Sequence, residues 1–155
     1  MLLIGFGACT SDKPTAPSTA STGCRQGPAL AGVWSPDRLQ LIAPCKHVSG
    51  MVEVTQGEPD GDHHVWLLVD AGYEYLLDDE NHFQAKPALL AEITPRCPLD
   101  SNPPNAEAAA RCPPAQLPIP VAGDHIAIDG PWVLDTDHGW REIHPVEAIQ
   151  ILAQA

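Results

Sequence analysis

Basic side chains are scarce in this chain of 155 residues, which has 8 Lys and Arg against 20 Asp and Glu. The formal net charge at pH 7 is therefore −12. Affinity for nucleic acid comes largely from Lys and Arg side chains that displace counterions from phosphates. The charge balance thus disfavours DNA or RNA as a partner.

Long apolar runs and nucleotide-binding motifs are missing as well. No segment is long and apolar enough to span a bilayer as a helix. The motifs GxGxxG, GxxxxGK[ST], HExxH and GxSxG are absent, so nothing favours an α/β nucleotide fold, a zincin or a serine hydrolase. The 17 prolines and 12 glycines indicate short strands and loops. The length suits one domain.

The N-terminal residues resemble a bacterial export signal. MLLIGFGAC (residues 1–9) is an apolar run that ends in small residues and Cys9, which is typical of a lipoprotein signal whose cysteine is lipidated. An ordinary signal peptide is the alternative. Residues 10–32 begin with a segment rich in Ser, Thr and Pro, which predicts a flexible tether. We therefore expect a protein of the cell envelope, or a secreted one, held at the membrane by a lipid anchor.

The four remaining cysteines are an even number in a chain that we expect to be exported, which indicates two disulfides. A weakly structured loop lies between Cys97 and Cys112, so the pairs 97–112 and 24–45 are favoured. A zinc site built from all four cysteines is the alternative, although no CxxC pair supports it.

Alternation of apolar and polar residues predicts the strands. Residues 48–70 form a β-hairpin around the turn GEPDGD, and Val48, Gly50, Val52 and Val54 share one face of its first strand. Residues 71–87 are expected to be a helical turn or loop that covers the sheet.

The second half of the chain supplies the other strands. A third strand is expected at residues 88–95 and a fourth in VAGDHIAIDGPWVLD. The stretch WREIHPVEAIQIL is a fifth strand, or a strand with a short helical end. An all-β fold follows: a small five-stranded OB-like barrel over residues 33–152, with a disulfide-bearing loop at 96–119. A β-sandwich fragment is the alternative.

Three stretches carry a resemblance: SPDRL followed by PC and VSGMV, then EPDGDHHVWL, then GDHIAIDGPWVLDTDHGWREIHPV. Over about residues 34–150 the chain resembles a family of uncharacterised bacterial secreted proteins, and HGWREIHPV is the most specific block. It is more loosely similar to the OB-like domains of exported nucleases. The resemblance implies a barrel and an extracytoplasmic setting, and it carries over no activity.

Two polar clusters hold the candidate metal ligands. Carboxylates and imidazoles at these spacings suit a divalent cation, and the loops that carry them can lie on the same side of an OB barrel. The competing interpretation is ordinary turn chemistry. The candidate ligands are Asp60, Asp62, His64, Asp135, Asp137 and His138, with His144 farther along the chain.

A candidate ligand-binding face lies nearby. Trp140, Glu142 and His144 alternate along one strand, so they share a face that offers an indole for stacking and polar groups for hydrogen bonds. His138 precedes them. Alternatively, Glu142 accepts a hydrogen bond from the ring of His144 and only holds the strand in place.

The sequence therefore predicts an extracytoplasmic, lipid-anchored OB-fold binding or structural module without catalysis of its own. The alternative is a metal-dependent hydrolase or metal-binding protein that uses the clusters at 60–64 and 135–144. Neither hypothesis identifies the protein or small-molecule partner, and a divalent metal is the one cofactor that the residues suggest.

Overall fold

The computed structural model describes residues 23–155. Cys9 and residues 10–22 of the expected tether lie outside these residues. Eight strands and one short helix follow in the order β1 (Leu39–Gly57), β2 (His63–Val69), β3 (His82–Phe83), β4 (Lys86–Pro87), β5 (Leu89–Ile93), α1 (Ala106–Ala110), β6 (His125–Asp135), β7 (Arg141–Ile143) and β8 (Ala148–Ala153). In this part of the chain no helix has the length and hydrophobicity needed to cross a bilayer.

Five strands close into a ring. β1 pairs with both β2 and β6, β2 pairs with β5, and β7 joins β5 to β6. The β5–β7 pair is parallel and the others are antiparallel. β8 pairs with β6 outside the ring. The C-terminal end of the chain, expected as a strand or a short helix, is therefore a strand. The predicted all-β, OB-like barrel is confirmed.

The long strand β1 pairs with two neighbouring strands because it bends. Its register against β2 shifts between Val52 and Val54, so Val52 faces the core while Val54 packs outside the barrel beside Trp66. The expectation that Val54 shares the inner face was wrong, because a bulge reverses the alternation of side chains beyond it. At Gly50 the backbones of β1 and β2 approach each other closely, since a Cβ there would lie 2.4 Å from the carbonyl oxygen of Leu68.

The core fills the ring with aliphatic side chains from every ring strand. Leu76, from a 3-10 turn at Glu74–Leu76 in the segment that links β2 to β3, closes one side. The segment expected as a turn or loop at 71–87 contains this 3-10 turn and the small β3–β4 hairpin. The fully buried members of the core include Val48, Leu67, Leu89, Ile126, Ile143 and Val146.

Two disulfides tie the periphery to the barrel. They join Cys24 to Cys45 and Cys97 to Cys112, which confirms the favoured pairing. Arg25 Nε also donates to Glu147 Oε1 at 2.5 Å. Residues 23–32 were expected to belong to the tether, and the structure links two of them, Cys24 and Arg25, to the barrel. Two disulfides fit an oxidising, extracytoplasmic location.

Candidate metal centre

The register of three adjacent strands brings acids and histidines together on the outer face of the barrel. His64 of β2 stands directly opposite Glu92 of β5, and directly opposed residues share a face. Glu142 of β7 is paired with Leu90, two residues before Glu92. Because side chains alternate along a strand, His64, Glu92, Glu142 and the following His144 converge on one side.

The loop between β1 and β2 adds a fifth polar side chain to this cluster. Asp62 lies two residues before His64, and its backbone amide donates to Asp60 Oδ1 at 3.2 Å. Gly61 has a φ of 89° and lies against Pro95 and Ala110, a conformation that favours glycine. The loop is therefore held in a fixed shape. We call Asp62, His64, Glu92, Glu142 and His144 the acid–histidine cluster.

Glu92 is the centre of the cluster. Its Oε1 lies 3.2 Å from His64 Nε2, and its Oε2 lies 2.8 Å from His144 Nδ1. His144 Nδ1 is also 3.0 Å from Glu142 Oε1, and Trp140 Nε1 donates to Glu142 Oε2 at 3.1 Å. The potential ligand atoms form two groups, each within 4.8 Å: Asp62, His64 and Glu92, and Glu92, Glu142 and His144.

One buried carboxylate oxygen of this cluster accepts no well-aligned hydrogen bond from residues 23–155, although it lies 2.8 Å from a ring nitrogen of His144. Nδ1 of an imidazole carries at most one hydrogen, and the geometry directs it to Glu142 Oε1. The close contact with Glu92 Oε2 is thus an ion contact, and Glu92 Oε2 lacks a hydrogen-bond partner among residues 23–155. Glu92 is only 3% exposed. An unsatisfied buried polar atom is costly, so this oxygen is a candidate ligand atom.

Burial and mutual charge perturb the ionisation of the cluster. Burial, reinforced by the charge of Glu92, raises the pKa of Asp62 to about 8. Burial opposes ionisation of Glu92 and His144 too, but their attraction outweighs it. The attraction between the two residues holds the pKa of Glu92 well below its usual value. Together with Glu142, it raises the pKa of His144 to about 10. For His64, hydrogen bonding and attraction to Glu92 outweigh burial and raise the pKa. Such mutual perturbation is typical of functional sites.

A covering segment closes the cluster from outside. The segment comprises residues 30–38, and its Gly32 packs so tightly on the carbonyl oxygen of Cys97 that a Cβ would lie 2.7 Å away. Beneath it lies a cavity of about 10 Å³, lined by Arg38, Asp60, Asp62 and His144 among others. That volume holds about one water molecule. His64 remains partly exposed, with 26% of its side chain accessible, so this side of the cluster faces solvent.

The other predicted ligands form a separate group at the β6–β7 turn. Asp135 is buried, and its Oδ2 accepts from Arg38 and lies 2.9 Å from His138 Nδ1. Its Oδ1 accepts from the backbone amide of Asp137 at 2.8 Å. The arginine neutralises Asp135 and leaves it less suited to a cation. Asp135, Asp137 and His138 therefore do not join the acid–histidine cluster, whereas Asp62, His64 and His144 do.

The residues of the expected ligand-binding face differ in their burial. Glu142 and His144 are buried, while Trp140 is half-buried and stacks on the exposed ring of His138 with centroids 4.5 Å apart. Trp140 also meets Trp66 edge to face at 5.6 Å. The hydrogen bond from Trp140 orients Glu142, so the indole supports the cluster.

Sequence reasoning missed Glu92. It stands in ALLAEITP, which reads as an almost wholly apolar strand, and every residue of β5 is buried. The sequence carries only part of the signal, a single acid in an apolar run. The burial of both strand faces, which requires such an acid to be paired or to bind a cation, is seen in the structure.

No family model, no curated protein and no solved structure matches this chain. The interpretation of the cluster therefore rests on its own geometry.

Proposed function

We propose that this protein is an extracytoplasmic module that binds a divalent cation at the acid–histidine cluster. One observation carries the proposal: among residues 23–155 the buried Glu92 Oε2 accepts no well-aligned hydrogen bond, and it lies beside a ring nitrogen of His144 and within 4.8 Å of ligand atoms of a second carboxylate. Two of the strands that form this face, together with the adjoining first loop, correspond to the surface on which OB barrels bind ligands.

The donor set favours a transition-metal ion. Mixed imidazole and carboxylate ligands suit Zn²⁺, Mn²⁺ or Fe²⁺, whereas Ca²⁺ and Mg²⁺ prefer oxygen alone. His144 Nδ1 lies 2.8 and 3.0 Å from the two glutamates. Neighbouring ligands on an ion with bonds of about 2.1 Å lie roughly 3.0–3.4 Å apart, so contraction onto an ion needs only small movements.

Binding to metal-free protein tests the proposal. The protein, purified without a His tag and with its disulfides intact, is treated with EDTA, dialysed and titrated calorimetrically with Zn²⁺ and with Mn²⁺. We expect saturable binding that Glu142→Gln weakens at least about 100-fold, because the variant removes a ligand charge. Cooperative melting of the variant shows that it still folds.

A matched control separates this site from surface binding. His125 Nε2 lies 2.8 Å from Asp70 Oδ2 in a half-exposed pair on another part of the barrel. His125→Gln should leave the affinity unchanged. An absence of saturable binding in the unmodified protein, or an equal loss of affinity in His125→Gln, would overturn the proposal.

We also propose that Cys9 carries a lipid that holds the module at a membrane. The apolar run MLLIGFGA before Cys9 and the Ser-, Thr- and Pro-rich segment after it support this proposal. Metabolic labelling with a palmitate analogue in a bacterial host should label the protein, and Cys9→Ala should abolish the label. Equal labelling of the variant would contradict the anchor.

A further inference from the structure

The two oxygens of Glu92 face different histidines. Oε1 faces His64 Nε2 at 3.2 Å, and Oε2 faces His144 Nδ1 at 2.8 Å. Each oxygen of Glu92 therefore has an imidazole nitrogen of its own, which is the arrangement that a carboxylate bridging two ions requires of its ligands.

Each side of Glu92 also has a carboxylate of its own. Asp62 accompanies His64, and Glu142 accompanies His144, so the two groups of potential ligands share Glu92 and nothing else. We propose that the acid–histidine cluster binds two divalent cations bridged by Glu92, an outer ion at Asp62 and His64 and an inner ion at Glu142 and His144. This inference rests on the proposed function and gives it a stoichiometry.

Each side has a polar neighbour beyond its candidate ligands, and on the Glu142 side this neighbour donates a hydrogen bond. Glu58 Oε1 attracts the His64 ring from 3.8 Å on its Nδ1 side, while Nε2 lies toward Glu92. Trp140 Nε1 holds Glu142 Oε2, which leaves Oε1 toward His144. Partners of this kind, one shell beyond the ligands, fix the orientation of metal-binding side chains.

The local charge suits two ions better than one. Cation binding requires Asp62 to be ionised and both histidines to be neutral, and in that state the three ligand carboxylates with nearby Asp60 and Glu58 carry five negative charges. Two divalent cations supply four positive charges, while one supplies two. The cavity beside Asp60, Asp62 and His144 has room for about one water, which can complete the coordination of an ion. Sites of this class hold their ions about 3.5–4 Å apart, a span that one carboxylate bridges.

Stoichiometry and magnetic coupling test the inference together. EDTA-treated protein with intact disulfides is titrated with Mn²⁺, bound metal is counted by equilibrium dialysis, and the spectrum is recorded by electron paramagnetic resonance. We expect two equivalents and an exchange-coupled spectrum. His64→Gln, at a partly exposed position, should bind one equivalent with an uncoupled spectrum, while His125→Gln should still bind two. Cooperative melting shows that both variants fold.

The outcomes separate the two proposals. One equivalent in the unmodified protein, with an uncoupled spectrum, overturns the two-ion inference and leaves the proposed function standing. Two equivalents that persist in His64→Gln also overturn it, because the second ion then lies elsewhere. No bound Mn²⁺ and no bound Zn²⁺ overturn the proposed function itself.

Discussion

Asp62→Asn should stabilise the metal-free protein, and the gain should grow with pH. Asp62 is buried beside Glu92, which raises its pKa from 3.8 to about 8. A carboxyl whose folded-state pKa is raised binds a proton that the unfolded chain releases, so its contribution to stability is fully present below pH 3.8 and is lost as pH rises toward 8. An amide of the same shape carries no such penalty.

The magnitude follows from the interval between the two pKa values. Stability changes by about 1.4 kcal/mol per pH unit while one proton separates the folded and unfolded states. Between about pH 5 and about pH 7.5 the unmodified protein should therefore lose roughly 3 kcal/mol relative to Asp62→Asn. Urea unfolding in EDTA at both pH values measures this difference.

Asp70→Asn is the control for this experiment. Despite some burial, the hydroxyl of Ser49 and the ring of His125 lower the pKa of Asp70. The stability that an ionised Asp70 contributes is present above pH 3.8 and lost below it. The hydrogen bond from Ser49 acts at both pH values, whereas the half-exposed ion pair with His125 exists only while that ring is protonated. The deficit of Asp70→Asn should therefore change by no more than about 1 kcal/mol between the two pH values, well below the change expected for Asp62→Asn. If Asp62→Asn were equally destabilising at both pH values, the description of Asp62 as a buried carboxyl kept neutral by the cluster would be refuted.

Other substitutions test the scaffold of the site. Gly61→Ala should cost about 1–3 kcal/mol and weaken cation binding, because φ is 89° and the new Cβ would lie 3.0 Å from Pro95 Cγ; urea unfolding and a Zn²⁺ titration measure the two effects. Replacing Cys97 and Cys112 by serine should cost about 3 kcal/mol, since the bridge closes a loop of sequence separation 15; a destabilisation below about 1 kcal/mol would contradict this. Leu67→Ala, at a fully buried position, should cost about 2–5 kcal/mol in the same unfolding assay and leave the number of bound ions unchanged.

The barrel could be predicted because its signals are local. Alternating residues around the turn GEPDGD predicted the hairpin that is now β1 and β2, and the weak loop after Cys97 favoured the disulfide that is observed. The orientation of Val54 could not be predicted, because the bulge before it depends on pairing between strands. The alternation of apolar and polar residues within one strand does not predict where its register shifts against the neighbouring strand.

The candidate site was only half predictable for a related reason. Asp62, His64 and His144 were identified by residue type, but their convergence depends on β5 lying between β2 and β7. Asp135 belongs to a different group because Arg38, distant in sequence, pairs with it. Glu92 was overlooked because an acid in an apolar strand is informative only when both faces of that strand are known to be buried.

Anomalous diffraction from crystals soaked in Mn²⁺ tests the central claim most directly. We expect two peaks, about 3.5–4 Å apart on either side of Glu92, one beside His64 and Asp62 and the other beside His144 and Glu142. Crystals without soaked metal serve as the reference. No peak within bonding distance of Glu92 would contradict the account.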